Sequence, residues 1–259
     1  MKMNMIDYDL HIHTAYCGHA PGMTIEAICR QADRIGLGLI VITDHIFEPD
    51  DLKTIERIRR EVAALGPRCR VRVGAEVDVD WAYTDGRLVT EELDGLDYVL
   101  AGFHYVPTMG HYPWSLDQRH MDIEPFLEAW ESSLLGIVSN PRIDTLAHPG
   151  RMLAACTDLG IYFDHGLAVF EKVAERSAQH NIAWELNELT GHRLPAMWQQ
   201  QWHRLYEVAL AAGVKVVYGS DSHTPEEIGL QTFALRVLDK LPPGSLSEPD
   251  ELLRQRPEA

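Results

Sequence analysis

The chain of 259 residues is longer than a typical domain of about 100–150 residues and has the length of one α/β barrel. Its 23 Lys and Arg against 39 Asp and Glu give a formal charge of −16, which excludes a general basic surface for nucleic acid or anionic membrane. Hydrophobic residues at 46% exclude wholesale disorder, and the 13 His are the unusual count.

At the N-terminus, Asp7 and Asp9 stand where a secretory signal would need its apolar stretch. The longest nearly uncharged apolar run, residues 35–42, is far short of the ~20 residues that cross a bilayer. A soluble protein without membrane contact is expected. Cys17, Cys29, Cys69 and Cys156 form no CxxC pair, so a reduced, cytoplasmic setting is expected rather than a disulfide framework.

Short apolar runs alternate with segments of helical periodicity, the pattern of a parallel α/β sheet. Strands are predicted over 6–12, 38–43, 70–77, 96–103, 143–147, 182–186 and 214–219. Helices are predicted over 26–36, after Thr24 and ending at Gly36, and over 51–65, 122–139 and 199–212. Residues 242–259 are expected to form an exposed tail, and nothing in the composition divides the chain into two domains.

Polar, metal-competent residues close the strands: His11 and His13, Thr43-Asp44-His45, Glu76, His104, His148, Glu185 and Asn187, then Asp221 and His223. In a parallel barrel the C-terminal strand ends share one rim, so residues spread over the whole chain converge there. Residues i and i+2 of a strand face the same side, which lets His11 and His13 reach one ion. Imidazole and carboxylate together suit Zn²⁺, Mn²⁺ or Fe ions, and the set is too large for one of them. Glu76 is the natural bridge, because a carboxylate can offer one oxygen to each of two ions. Cys17 is read as a small loop residue, and His180 and His203 as helix surface residues.

The segments DLHIHTAYCGHA (9–20), ITDH (42–45), LAHPG (146–150) and GSDSH (219–223), with GAE ending at Glu76 and GFH at His104, resemble the polymerase and histidinol phosphatase (PHP) family along nearly the whole chain. The resemblance implies a distorted (β/α)7 barrel with three divalent metal ions, Zn, Mn or Fe, at its C-terminal face. Carried over by position, it implies one ion on His11, His13, Glu76 and Asp221. A second would lie on Glu76, His104 and His148, and a third on His19, His45 and His223.

The implied activity is phosphate ester hydrolysis, with a bridging hydroxide as nucleophile because metal-bound water can reach a pKa of about 7. Glu76, Asp221 and His223 are the catalytic candidates. No GxSxG motif offers a nucleophilic serine. Arg193, within ELNELTGHR, is the preferred phosphate anchor, followed by Arg151, while Asn187 is expected to face the pocket. The segment after His104 carries Tyr105, His111, Tyr112 and Trp114, candidates to grip an organic moiety.

A small phosphate monoester such as histidinol phosphate is the expected substrate. Phosphodiester or nucleotide hydrolysis on the same site is the alternative. An amidohydrolase-type centre is disfavoured because no strand end carries a bridging Lys. A non-catalytic metal domain is disfavoured by the complete ligand set, and a nuclease by the acidic charge.

Overall fold

The computed structural model describes residues 5–104, 123–151 and 163–254. The strands in chain order are β1 (Tyr8–Ile12), β2 (Leu39–Ile42), β3 (His45–Ile46), β4 (Arg70–Val73), β5 (Ala75–Asp78), β6 (Val99–Gly102), β7 (Thr145–Leu146), β8 (Ala183–Asn187) and β9 (Val216–Gly219). All pair in parallel, in the orders β1-β2-β4 and β3-β5-β6-β7-β8-β9.

The two sheets are one ring. β2 runs into β3 across Thr43 and Asp44, and β4 into β5 across Gly74. The hydrogen bonds Gly74 N–H to Ile42 O (2.8 Å) and Glu76 N–H to Asp44 O (3.0 Å) carry the ladder over both breaks. The ring closes where Asp221 N–H donates to His11 O (2.8 Å) and His13 N–H to Ser222 O (3.1 Å), beside the Ile12–Ser222 bridge. The result is a distorted seven-staved α/β barrel, with each stave inside or overlapping its predicted range.

Most staves are buried along their length, as a parallel sheet covered by helices requires; β4, with Arg70 and Arg72 exposed, is the exception. The covering helices are α1 (Ile25–Ile35), α2 (Ile55–Leu65), α3 (Ile123–Ile137), α4 (Phe163–His180), α5 (Glu188–Arg193), α6 (Ala196–Gln201), α7 (His203–Ala211) and α8 (Thr232–Leu238). Thr24 caps α1 by accepting from Ala27 N–H, and Gly36 ends it in the left-handed region, φ 80°. Around β8, Trp130 of α3, Phe170 of α4 and Trp184 pack edge to face, with centroids 5.1 and 5.4 Å apart. Such pairs contribute about 0.5–1.5 kcal/mol each beyond burial. The Trp184 indole also donates to Ser177 Oγ at 2.8 Å, which fixes β8 against α4.

Four expectations need correction. The helix predicted over 51–65 opens as a 3-10 turn, Pro49–Thr54, because Asp51 accepts from Phe47 and Glu48 N–H and the proline at the first position tightens the entry. The helix predicted over 199–212 begins earlier and is divided into α6 and α7 at Trp202, whose buried ring packs beside Gly150. The strand predicted over 70–77 is divided at Gly74 into β4 and β5, and beyond it Val79 pairs antiparallel with Leu88.

The fourth concerns the expected exposed tail. Residues 242–254 lie across the N-terminal ends of the staves. Ser247 N–H donates to Val216 O (2.8 Å), Tyr8 Oη to Ser247 O (3.2 Å), and Arg254 N–H to Asp97 O (3.0 Å). Pro249 and Leu252 are buried, and Arg254 pairs with Asp144 at 3.0 Å. The tail's polar composition conceals this, because its anchors are backbone groups and a few side chains. Among the described residues, no helix is long and apolar enough to cross a membrane.

Candidate metal centre

The C-terminal stave ends hold all nine sequence-predicted ligands within one cluster, graded from buried to exposed. His11, His13 and Asp221 are 0% exposed, Glu76 and His104 1% and His148 2%. His45 and His223 are half-buried, and His19 is exposed. His11 and His13 come from the end of β1, Glu76 from within β5, His104 and His148 from just past β6 and β7, and Asp221 and His223 from just past β9.

Glu76 stands at the centre, and its two oxygens face different histidines. Oε2 lies 2.8 Å from His45 Nδ1, 3.3 Å from His11 Nε2 and 3.6 Å from His13 Nε2. Oε1 lies 2.6 Å from His148 Nε2 and 3.4 Å from His104 Nε2. Asp221 Oδ1 is 3.1 Å from His13 Nε2 and 3.7 Å from His11 Nε2. At the mouth, His19 Nε2 and His223 Nε2 are 2.9 Å apart. His45 differs from the arrangement implied by resemblance: it stacks on His13 at 4.2 Å and also reaches Glu76, so it links the mouth to the buried part. Gly102 makes this crowding feasible, since a Cβ there would lie 2.7 Å from both Glu76 Oε1 and His104 Cε1.

Four imidazoles hydrogen-bond through Nδ1 to a protein oxygen. His11 meets Glu185 (2.7 Å), His104 meets Asp78 (3.0 Å), His19 the Cys17 carbonyl (3.1 Å) and His223 the Asp221 carbonyl (2.9 Å). A histidine held so keeps Nε2 available for a ligand bond, the arrangement found around metals. The residue types and spacing also fit: within each of the groups His11-His13-Glu76, His45-Glu76-His104 and His13-His45-His223, the ligand atoms lie within 4.8 Å of one another.

A further test is hydrogen-bond satisfaction. His13 Nδ1 is buried without a hydrogen-bond partner, and His45 Nδ1 and Glu76 Oε2, although 2.8 Å apart, are not aligned for a hydrogen bond, so all three are unsatisfied, a state that costs about 1–3 kcal/mol per group. A divalent cation satisfies nitrogen lone pairs and a carboxylate oxygen together, so these residues fit one.

Electrostatics agree. Burial lowers His104 to about 3, with Arg151 adding to the shift, and His148 to about 4 for the same reasons. Both therefore keep free lone pairs at neutral pH. Burial disfavours the ionised forms of Glu76 and Asp221, but neighbouring imidazoles, His104 on Glu76 and His11 on Asp221 foremost, outweigh it and hold both well below the usual carboxylate range. His11 is raised well above its ordinary value, since Glu185, Asp221 and Glu76 overcome its burial. Burial pushes the Cys17 thiol to about 11. Cys17 lies near His13 and Asp44, at the end of the 3-10 turn Ala15–Cys17.

The predicted substrate contacts fare unequally. Arg151 Nη1 lies 3.3 Å from Asp221 Oδ2 and 3.4 Å from His104 Nε2, and Arg193 is exposed at the end of α5. Asn187 faces the cluster, but its amide is already engaged. Nδ2 donates to Glu185 (3.0 Å) and Asp221 (3.4 Å), and Oδ1 caps α5 by accepting from Thr190 N–H (2.7 Å). These contacts tie Glu185, Asp221 and the start of α5 together. His111, with Tyr105, Tyr112 and Trp114, lies outside the described residues, as does Cys156. Of the two helix histidines, His180 is exposed and His203 half-buried.

Asp78 was not recognisable as a site residue in the sequence, yet it lies two residues after Glu76 on the same strand face and holds His104. Burial and the charge of Glu76 raise it to about 7. The i, i+2 spacing was the available signal.

Comparison with known proteins places this geometry. A family model described as PHP domain matches residues 9–189. A protein from Acetivibrio thermocellus named probable phosphatase is 26% identical over 244 residues, covering 90% of this chain and 86% of its own. One of the same name from Syntrophotalea carbinolica is 28% identical over 240 residues, covering 90% and 87%. Among solved structures, histidinol phosphate phosphatase from Lactococcus lactis, complexed with zinc, L-histidinol and phosphate, superimposes with a TM-score of 0.69 at 17% identity, covering 90% of this chain and 94% of that one. At that identity the likeness shows a shared fold.

Proposed function

The chain belongs to the PHP-domain family, and from that premise we propose that it is a metal-dependent phosphatase acting on a small phosphate monoester, with histidinol phosphate as the first candidate. The observation that carries the reading is the two-sided environment of Glu76, with His11, His13 and His45 on one oxygen and His104 and His148 on the other. The names of the relatives and the ligands of the Lactococcus lactis structure support the reaction and the substrate class. We assign three ions, Zn²⁺, Mn²⁺ or Fe, to His11, His13, Glu76 and Asp221, to Glu76, His104 and His148, and to His19, His45 and His223.

Divalent ions so held make a nucleophile available from water near neutral pH and neutralise phosphate oxygens. The chain's own groups supply the rest. Glu76 fixes the spacing between the two buried ligand sets. Arg151 extends beside Asp221 and His104, placing a permanent cation where a phosphate oxygen would meet the cluster. Asp221, whose Oδ1 lies beside His13 and His11, is the candidate proton acceptor for the attacking water. His223 connects the cluster to bulk solvent at the half-buried mouth. The formal charge of −16 does not oppose a small anion, because the local sign is set by the ions and Arg151.

The test is apo-protein reconstituted separately with Zn²⁺, Mn²⁺ and Fe²⁺ and screened against phosphorylated metabolites, histidinol phosphate included, with phosphate release as readout. Metal-dependent release from monoesters is expected, with p-nitrophenyl phosphate preferred over its bis ester. Preference for the diester overturns the monoester assignment. No phosphate release with any of the three metals overturns the phosphatase.

A further inference from the structure

Stave β8 differs from the other staves: its inward residues, Glu185 and Asn187, belong to none of the proposed ligand sets. Both are buried at the same depth as the ligands, 1% and 2% exposed. A buried carboxylate is costly unless fully engaged, and Glu185 is engaged at both oxygens. Oε1 meets His11 Nδ1 at 2.7 Å. Oε2 accepts from His148 N–H at 2.6 Å and from Asn187 Nδ2 at 3.0 Å. Neither oxygen is left for a cation.

The groups it meets are the ones that need support. His148 has φ 31° and Asp221 φ 58°, both in the left-handed region that residues with a Cβ rarely adopt. Glu185 anchors the backbone of His148, and Asn187 Nδ2 reaches Asp221 Oδ2 at 3.4 Å. The neighbouring stave β9 makes room: a Cβ on Gly219 would lie 2.1 Å from Glu185 Oε1 and 2.6 Å from His11 Cβ. A side chain at position 219 is therefore incompatible with the Glu185–His11 contact as it stands.

We infer that Glu185 is a positioning residue: through its contacts with the His11 ring and the His148 backbone, seated against Gly219, it sets two ligands on opposite sides of Glu76 for divalent-ion binding. This deepens the metal-centre reading and rests on it. A carboxylate on Nδ1 holds the His11 proton there and leaves Nε2, 3.3 Å from Glu76 Oε2, as the ligand atom. The negative charge also raises the basicity of that ring.

The experiment uses the full chain, stripped of metal and titrated with Zn²⁺ alone against a chelating dye, with elemental analysis of bound zinc. Glu185→Gln keeps the side-chain shape and removes the charge. The expected result is a metal-free far-UV spectrum like that of wild type with zinc affinity about 10–100-fold weaker, the range typical of lost partners behind metal ligands. Gly219→Ala, which leaves the carboxylate in the chain but fills its seat, is expected to weaken zinc in the same direction. A folded Glu185→Gln protein with wild-type zinc affinity overturns the inference.

Should neither variant fold, the zinc-loaded wild-type protein decides by long-range ¹H–¹⁵N spectra. A proton on His11 Nδ1 supports the inference, and a proton-free Nδ1 overturns it. Wild-type protein that takes up no zinc, manganese or iron removes the metal centre itself and the positioning role with it, an outcome distinct from equal affinities.

Discussion

The two ends of the barrel solve opposite problems with similar residue types. At the C-terminal end, seven imidazoles and the carboxylates of Glu76 and Asp221 crowd inward, and three of their buried atoms lack partners. At the N-terminal end, charges are matched and spread: Arg254 pairs with Asp144, Arg70 with Asp250 and Lys215 with Glu251, while Ser247 and Arg254 N–H bond to backbone carbonyls beside the staves. One end leaves its polar groups open to a cation, and the other satisfies its own. Functional sites concentrate unsatisfied, perturbed groups, whereas stability is built from satisfied ones.

Substitutions that separate the two ends break or sharpen this contrast. Glu76→Gln removes the charge between the two ligand sets and is expected to lower kcat/KM for phosphate release by at least about 10³-fold, since electrostatic stabilisation by bound ions amounts to several kcal/mol. Steady-state phosphate release with a parallel zinc count checks it. Equal activity with a full zinc complement would contradict the central role of Glu76.

Gly102→Ala drives a methyl group against Glu76 Oε1 and His104, and is expected to weaken zinc binding about 10–100-fold while the other end stays intact. Zinc titration reads the first effect, and hydrogen exchange at Arg254 and Ser247 amides reads the second. At the N-terminal end, Arg254→Ala strands Asp144 and is expected to lower stability by about 2 kcal/mol. That corresponds to roughly 5 °C in Tm for a chain of this size. Zinc affinity measured well below that Tm should equal wild type; weakened zinc binding would show that the two ends are coupled. The smallest effect is expected from Thr24→Ala, which loses the cap on α1 and costs about 1 kcal/mol, visible in thermal unfolding but not in phosphate release.

Much of the site was legible because its signals are local. His11 and His13 share a strand face by period two, and Glu76, His104, His148 and Asp221 end or closely follow apolar runs that read as strands, whereas His19 was legible only through the family resemblance. Glu76 was identifiable as the central carboxylate among imidazoles. Asp78 was not, although the same periodicity places it beside Glu76, because a carboxylate that holds a histidine has no sequence mark until the histidine from the next stave arrives. The relative placing of Arg151 and Arg193 was likewise not legible. Both follow strand ends, but α5 carries Arg193 to an exposed end while Arg151 remains close behind His148.

The sequence by itself determined the staves, their order of polar ends, the residue types gathered there and the family, since these depend on periodicity and residue type along short stretches. Tertiary structure alone decided that β8 braces the cluster without adding to the proposed ligand sets, that Gly219 makes room for Glu185, and that residues 242–254 close the far end. Those outcomes depend on contacts between residues far apart in the chain, such as Glu185 with His11 and Arg254 with Asp144, whose partners are selected only when the ring of staves closes.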